Sequence, residues 1–310
     1  MELRQLRQFV VLAETMNVHR AAERLNMAQP PLSTSLKKLE AELGERLFER
    51  TTRQMRLTSA GGLLLAHARR VLSEYDQALH ALEAARSGDK GWVSIGFVGT
   101  ATCAILPRLI PQFKQAYPGV HLSLRESTSN EILKELEQGL LDLGIVRAPL
   151  FQAASVTLEQ IEADDLILAL PERHHLASLP EISLHDLRDE AFVAYSPSRV
   201  PSLHGLLVLN CQKAGFMPRI AQEAVQVQTI VSLVGSGLGI ALVPSIATQG
   251  GPPGVAFRPV VDLGPSGSTS LALAHSPERI TPAARLFRSI AVSTPHGDRA
   301  PGPLFSPAPE

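Results

Sequence analysis

The chain has 310 residues, 45% of them hydrophobic, which suffices for a sizeable core and more than one domain. Its formal charge of -1 hides an asymmetry, because residues 1–60 hold ten Lys/Arg against seven Asp/Glu, leaving +3 there and -4 on the rest. A basic head on an acidic body fits a nucleic-acid contact confined to one end. Charged residues from Glu2 onward argue against a signal peptide, and no apolar run is long enough to span a membrane. The two cysteines, Cys103 and Cys211, read as free thiols of a reduced cytoplasmic protein.

Residues 3–15 form an amphipathic helix with Leu6, Phe9, Val10 and Ala13 on one face. A short helix follows, Val18 to Leu25, with small Ala21 and Ala22 where a neighbour can pack closely, then a tight turn at Asn26-Met27. The next helix carries Pro30 and Pro31 in its opening turn, where a missing N–H costs nothing. Leu32, Leu36, Leu39 and Leu43 make its buried stripe, and Gln29, Ser33, Thr34, Lys37 and Lys38 its polar face. Two short helices, a tight turn and a polar second helix describe a helix-turn-helix whose second helix can enter a DNA major groove. Gly44 stops that helix. The hairpin Arg50 to Thr58 then brings Arg50, Arg53 and Arg56 with no acid, a basic wing for phosphates or the minor groove. A plain helical hairpin would show the same polar face but would not need that wing.

These sixty residues resemble the winged helix-turn-helix of LysR-type transcriptional regulators. The matching residues are Phe9, Ala13, Glu14, Ala21-Ala22, Leu25, Gln29-Pro30-Pro31-Leu32-Ser33, Leu39-Glu40, Leu43-Gly44, Leu47-Phe48, Arg50, Leu57-Thr58 and Ala60-Gly61. The resemblance implies that Gln29, Pro30, Pro31, Ser33, Thr34 and Lys37 meet DNA from the recognition helix, and Arg50 and Arg53 from the wing. Two positions depart from the family pattern. Position 28 is Ala where a capping Ser is usual, a local loss of about 1 kcal/mol. Position 34 is Thr where a long polar or basic side chain is common.

Thr58 is a good N-cap for a long helix reaching about Arg86. Along it Leu64, Ala68, Val71, Tyr75, Ala78, Leu82 and Ala85 alternate steps of four and three, a heptad seam that predicts pairing with a second copy. Packing on its own domain is the alternative. Ser87 to Gly91 is a linker, and from Trp92 strands alternate with helices, predicting an α/β body with mainly parallel sheets. The pattern restarts near Asp164-Asp165, and the Pro-rich residues 295–310 read as a disordered tail. The resemblance extends over nearly the whole chain. It implies a two-lobed effector domain of periplasmic-binding-protein type at 89–294, after a winged helix at 1–58 and a linker helix at 59–88. Lobe I covers about 92–163 and 268–294, and lobe II about 164–267.

Ligands of open α/β sheets bind beyond the carboxyl ends of strands, at helix N-termini. Such ends supply Thr100 and Thr102 after IGFV, Thr128 after HLSLRE and Ser198 after FVAYS. Arg147 follows the strand DLGIV, and Gln226 and Gln228 open the helix after RIAQEA. Hydroxyls, backbone N–H groups and an arginine suit a small carboxylate. Helix capping is the structural alternative for each Ser or Thr. The resemblance adds that Thr100 and Thr128 match carboxylate-binding positions in regulators of aromatic-acid breakdown, a subgroup this chain resembles in Ile95 to Thr102 and in Ile105-Leu106-Pro107. Other signals are weaker. Gly235 to Gly239 joins a helix to a strand, the wrong order for a dinucleotide loop, and His174-His175 beside Glu172 reads as a turn, not a metal site. No catalytic constellation assembles, so neither an enzyme nor a cofactor is expected.

Together these features predict a cytoplasmic regulator with double-stranded promoter DNA, a small anionic effector and its own second copy, as homodimer or homotetramer, for partners. RNA polymerase is a further expected partner, and no membrane is. The competing expectation is a DNA-binding regulator whose α/β domain only assembles subunits.

Overall fold

A computed structural model describes residues 1–50, 55–87, 91–103, 105–150, 155–249 and 251–293. The chain divides into two compact units, Met1–Ser87 with Gln138–Leu140, and Gly88–Glu137 with Leu141–Glu310. Among the described residues no helix is long and apolar enough to cross a membrane.

The first unit begins with α1 (Leu3–Thr15), α2 (Val18–Arg24) and α3 (Gln29–Leu43). Asn17 starts α2 by accepting hydrogen bonds from the backbone N–H groups of His19 and Arg20 at 2.9 and 3.1 Å. Ala28 starts α3 with no side-chain cap, and Gly44 ends it in the left-handed conformation at φ 70°. The core joins Leu6, Phe9 and Leu12 of α1 to Ala21 and Ala22, to Leu32, Leu36 and Leu39, and to Leu47 and Phe48. Leu43 departs from the predicted stripe: it sits in the last turn of α3, 38% exposed and outside that core.

Strands β1 (Phe48–Arg50) and β2 (Met55–Leu57) pair antiparallel as the stem of the wing. Glu40 fixes the entry to this stem, because its Oε1 accepts from the N–H groups of Leu47 (2.8 Å) and Phe48 (3.3 Å). Thr58 then caps α4 (Ser59–Ser87) by accepting from the Gly61 N–H at 2.9 Å. A Cβ at Gly61 would lie 2.2 Å from the Leu47 carbonyl oxygen, so only glycine lets the helix start this close to the wing.

The heptad of α4 splits into two roles. Leu64 and Ala68, with Leu72 between heptad positions, pack on the winged-helix core, which corrects their assignment to a free seam. Val71, Tyr75, Ala78, Leu79 and Leu82 remain exposed, Leu82 at 63%. Arg7 covers part of the Tyr75 ring at 5.7 Å and also pairs with Asp76 at 2.7 Å. The side chain of Ala85 lies outside the described residues.

The second unit opens with β3 (Gly91–Phe97), a short turn of 3-10 helix (Gly99–Thr102) and α5 (Ile105–Ala116). Pro107 falls in the first turn of α5, where its missing N–H interrupts nothing, and Pro111 lies within the helix. Next come β4 (Val120–Glu126), α6 (Ser129–Glu137), β5 (Leu143–Ala148) and the long β6 (Thr157–Pro171). Then follow β7 (Ala191–Tyr195), α7 (Pro201–Lys213), β8 (Arg219–Ala224) and α8 (Val227–Gly235). The unit finishes with β9 (Ala241–Pro244), β10 (Val255–Arg258), β11 (Ser268–His275) and α9 (Pro282–Ser293). The tail at 295–310 lies outside the described residues.

Two hydrophobic cores make two lobes, one built on β3, β5, α5, α6 and α9, the other on β7, β9, α7 and α8. The sheets are mixed, not mainly parallel. Among the described strand pairs β3–β4, β3–β5 and β7–β8 run parallel, while β6 and β11 pair antiparallel with each other and with their other neighbours. The changeover expected near Asp164 falls inside one strand: β6 runs straight through it, pairing with β11 up to Asp165 and, from Leu166, with β9 in the second lobe's core.

Candidate functional site

The face of α3 opposite its leucines is open. Gln29, Pro30, Pro31, Thr34, Lys37 and Lys38 are exposed and Ser33 is half-buried. Thr34 donates its hydroxyl to the Pro30 carbonyl at 3.0 Å, so the side chain is folded back on its own helix. Arg50 closes β1, and its side chain, like all of Arg53, lies outside the described residues. An exposed helix face bearing amide, hydroxyl and ammonium donors can hydrogen-bond base edges and phosphates together.

In the second unit, β3, β4, β7 and β8 end around one cavity of about 50 Å³. Val98, Gly99 and Thr100 line it after β3, Ser127, Thr128 and Ser129 after β4, and Arg147 from β5. Tyr195, Val200 and Leu203 line it from the second lobe, together with Val225, Gln226 and Val227 ahead of α8. The opening is narrow at Gly99, where a Cβ would meet Glu126 Oε1 at 2.8 Å and Gln226 Oε1 at 2.9 Å. A hollow of about 370 Å³ lined by Asp165, Leu166, Val260 and Gly264 is larger, but the strands that end beside it, β9 and β10, run antiparallel to β6. The smaller cavity instead gathers the carboxyl ends of the parallel pairs β3–β4 and β7–β8. We place the site in the smaller cavity for that reason.

Arg147 sits in the cavity wall but its charge is already answered. One guanidinium nitrogen donates to Asp164 Oδ2 at 2.7 Å and to Thr269 Oγ1 at 3.0 Å, and the other to Thr100 Oγ1 at 2.8 Å. Asp164 also accepts from the Ser245 hydroxyl (2.6 Å) and the Asp165 N–H (2.9 Å). Both charged side chains are nearly inaccessible, so the arginine is not the open cation expected from sequence. It acts through Thr100 instead. Because Thr100 Oγ accepts from Arg147, its proton is left to donate elsewhere, and the neighbouring cation polarises it. Thr128 receives a long contact, 3.4 Å, from the Glu131 N–H, and its hydroxyl reaches the Glu131 carboxylate in return.

Three other expected residues lie apart from the cavity. Thr102 donates back to the Gly99 carbonyl at 2.6 Å. Ser198 pairs with Ser196 at 3.2 Å on an exposed loop. Gln228 lines a different hollow with Cys103, Val231 and Ser232, and Gln226 takes the place at the cavity that both glutamines were given. Tyr195 was missed; its signal was its position at the end of FVAYS, the same kind of strand end that marked the threonines. At the lip, Arg199 of the second lobe pairs with Glu131 of the first at 3.0 Å. The Ser127 hydroxyl, and then Arg199, hold the Glu131 carboxyl below its usual range.

His174 and His175 gather with Glu190, not Glu172. His174 Nδ1 accepts from the Leu176 N–H at 3.3 Å, which leaves Nε2 protonated towards Glu190 at 3.2 Å. The potential ligand atoms of the three residues all lie within 4.8 Å of one another, and those of His174 are used within the turn.

A winged helix-turn-helix and a two-lobed α/β body with a cavity at its strand ends define a DNA-binding regulator carrying a small-molecule binding fold. The chain belongs to the LysR family of transcriptional regulators. Residues 3–62 match the bacterial regulatory helix-turn-helix domain of the lysR family, and residues 86–294 match the LysR substrate binding domain. It is 39% identical to the transcriptional regulator AlsR of Bacillus subtilis over 249 residues, 80% of this chain and 82% of that one. It is 35% identical to XapR of Escherichia coli over 282 residues, 91% and 94% of the two chains. Among solved structures it is similar to CbnR, a LysR family transcriptional regulator, with a TM-score of 0.73 and 27% identity over 94% of this chain and 98% of that one. CbnR complexed with its target DNA gives a TM-score of 0.72 and 28% identity, over 94% and 99%.

Proposed function

We propose that this regulator holds promoter DNA through Gln29, Pro30, Pro31, Ser33, Thr34 and Lys37 with Arg50 and Arg53, and that a small carboxylate in the cavity modulates that hold. The buried Thr100 hydroxyl carries the effector reading: its oxygen is taken by Arg147 and its proton is not. Val98, Val200, Leu203, Val225 and Val227 supply an apolar wall for the remainder of the ligand. At about 50 Å³ the cavity is roughly a third of one that holds benzene, so a short carboxylate suits this lobe placement better than an aromatic acid. Exposed Val71, Ala78, Leu79 and Leu82 on α4 give the surface for a second copy, which would set two recognition helices on neighbouring half-sites. An effector that favours one lobe closure shifts the placement of the paired heads. DNA recovered on the purified cytoplasmic protein identifies the operator, and footprinting on it with and without short carboxylates tests the reading. An effector-dependent change in the footprint supports it. An unchanged footprint with intact DNA binding would return the α/β body to subunit assembly alone.

A further inference from the structure

Tyr195 ends β7 and reaches the cavity from the lobe opposite Thr100 and Thr128. The residue is only 4% exposed, and its hydroxyl has no hydrogen-bond partner. A phenol buried this way has given up its hydration for nothing within the protein, and a phenylalanine would fill the same space. The hydroxyl lies within electrostatic reach of Arg147 and Asp164, yet those charges already satisfy each other. Burial pushes the phenol well above its ordinary pKa, so it stays a protonated donor. Across the cavity the Thr100 oxygen is taken by Arg147, which leaves its proton to donate, while the Thr128 hydroxyl is shared with the Glu131 carboxylate. Two uncommitted O–H donors therefore line one small volume, Thr100 from the first lobe and Tyr195 from the second.

A carboxylate is made for such a set, since it only accepts and offers two oxygens with about four lone-pair directions. We infer that Tyr195 is the second lobe's ligand for the effector carboxylate: its phenol donates to one oxygen while Thr100 donates to the other. One carboxylate then spans the lobes, so binding and closure become the same event. This assignment rests on the carboxylate reading of the cavity. It also predicts discrimination, because a primary amide of the same skeleton has one acceptor oxygen and presents N–H groups to donors.

The test uses the full-length protein and its Tyr195→Phe and Thr100→Val variants. Each is titrated by calorimetry with sodium acetate, pyruvate, succinate and benzoate and with the matching amides, and its ligand-free thermal midpoint is recorded. At least one acid should bind the wild type and its amide should not. Tyr195→Phe should leave the ligand-free midpoint unchanged or raised, because it removes an unsatisfied group, and should weaken that acid about 10- to 100-fold. Thr100→Val should weaken it comparably. If Tyr195→Phe keeps wild-type affinity while Thr100→Val loses it, the cavity stands and the tyrosine assignment is overturned. A lowered midpoint at unchanged affinity likewise overturns it, returning the hydroxyl to a structural role such as holding a buried water. If neither variant changes the affinity of an acid that binds, the ligand sits elsewhere and both readings fall. Failure of all four acids to bind the wild type also ends both.

Discussion

Asp164→Asn is the most informative single change in the effector body. It keeps the shape of the side chain and leaves acceptor capacity for Ser245 and the Asp165 N–H, but it leaves the Arg147 guanidinium buried without a counter-charge. Both side chains of the pair are about 5% exposed or less, so water cannot take over. Breaking one side of such a pair costs about 3–5 kcal/mol. For a body of this size that corresponds to a midpoint lower by roughly 6–20 °C. The effector-domain transition of the full-length protein, followed by calorimetry, reads it directly. Effector affinity should fall too, because Arg147 orients and polarises Thr100. The control is Arg147→Met with Asp164→Leu, which removes both charges together and should regain most of the midpoint, since buried pairs often exchange for apolar residues at little cost. A loss below about 1 kcal/mol for Asp164→Asn, or no recovery in the double variant, would refute the view that Asp164 answers a buried charge.

Three further changes separate the parts of the molecule. Glu40→Ala deprives the Leu47 and Phe48 N–H groups of their acceptor, so the winged-helix transition should lose about 1–3 kcal/mol and operator affinity should drop in mobility-shift titration, with effector binding unchanged. Val71→Glu with Leu82→Glu places charges on the exposed face of α4, and sedimentation should show the assembly falling apart while both units keep their circular dichroism. Arg288 donates to both oxygens of Glu159 and, with burial opposing and His275 assisting, holds its carboxyl below the ordinary value of 4.5. That contribution is complete above pH 4.5 and disappears as pH falls through the lower folded value. Glu159→Gln should therefore flatten the acid limb of urea midpoints measured between about pH 6 and 3.

Local chemistry made much of the fold legible. Pro30 and Pro31 at one end of α3 and Gly44 at the other set its bounds, and the apolar run before Gly235 placed α8 from Val227 to Gly235. The second half of β6, residues 166–171, reads as a strand, but its first half was hidden because Glu162, Asp164 and Asp165 break the apolar rhythm, and what makes Asp164 tolerable is Arg147, a neighbour only in space. Strand β10 was hidden by the glycines and prolines just before it. The same division holds at the site. Strand ends led to Thr100, Thr128 and Arg147, whereas the inward turn of Thr102 and the ion pair that occupies Arg147 depend on contacts no spacing reveals. Tyr195 stands at a strand end as the threonines do, but its unpartnered oxygen is visible only in the folded chain.

Because β6 completes the sheets of both lobes, the effector body cannot be divided there without unpairing β11 on one side and β9 and β10 on the other. A reporter module inserted near Asp165 would abolish folding. The surface loop at Gly251–Gly254 lies between paired strands and carries no regular structure, and an insertion there leaves every strand its neighbours. That loop is the place to build a fluorescent sensor from this protein, with lobe closure as the signal.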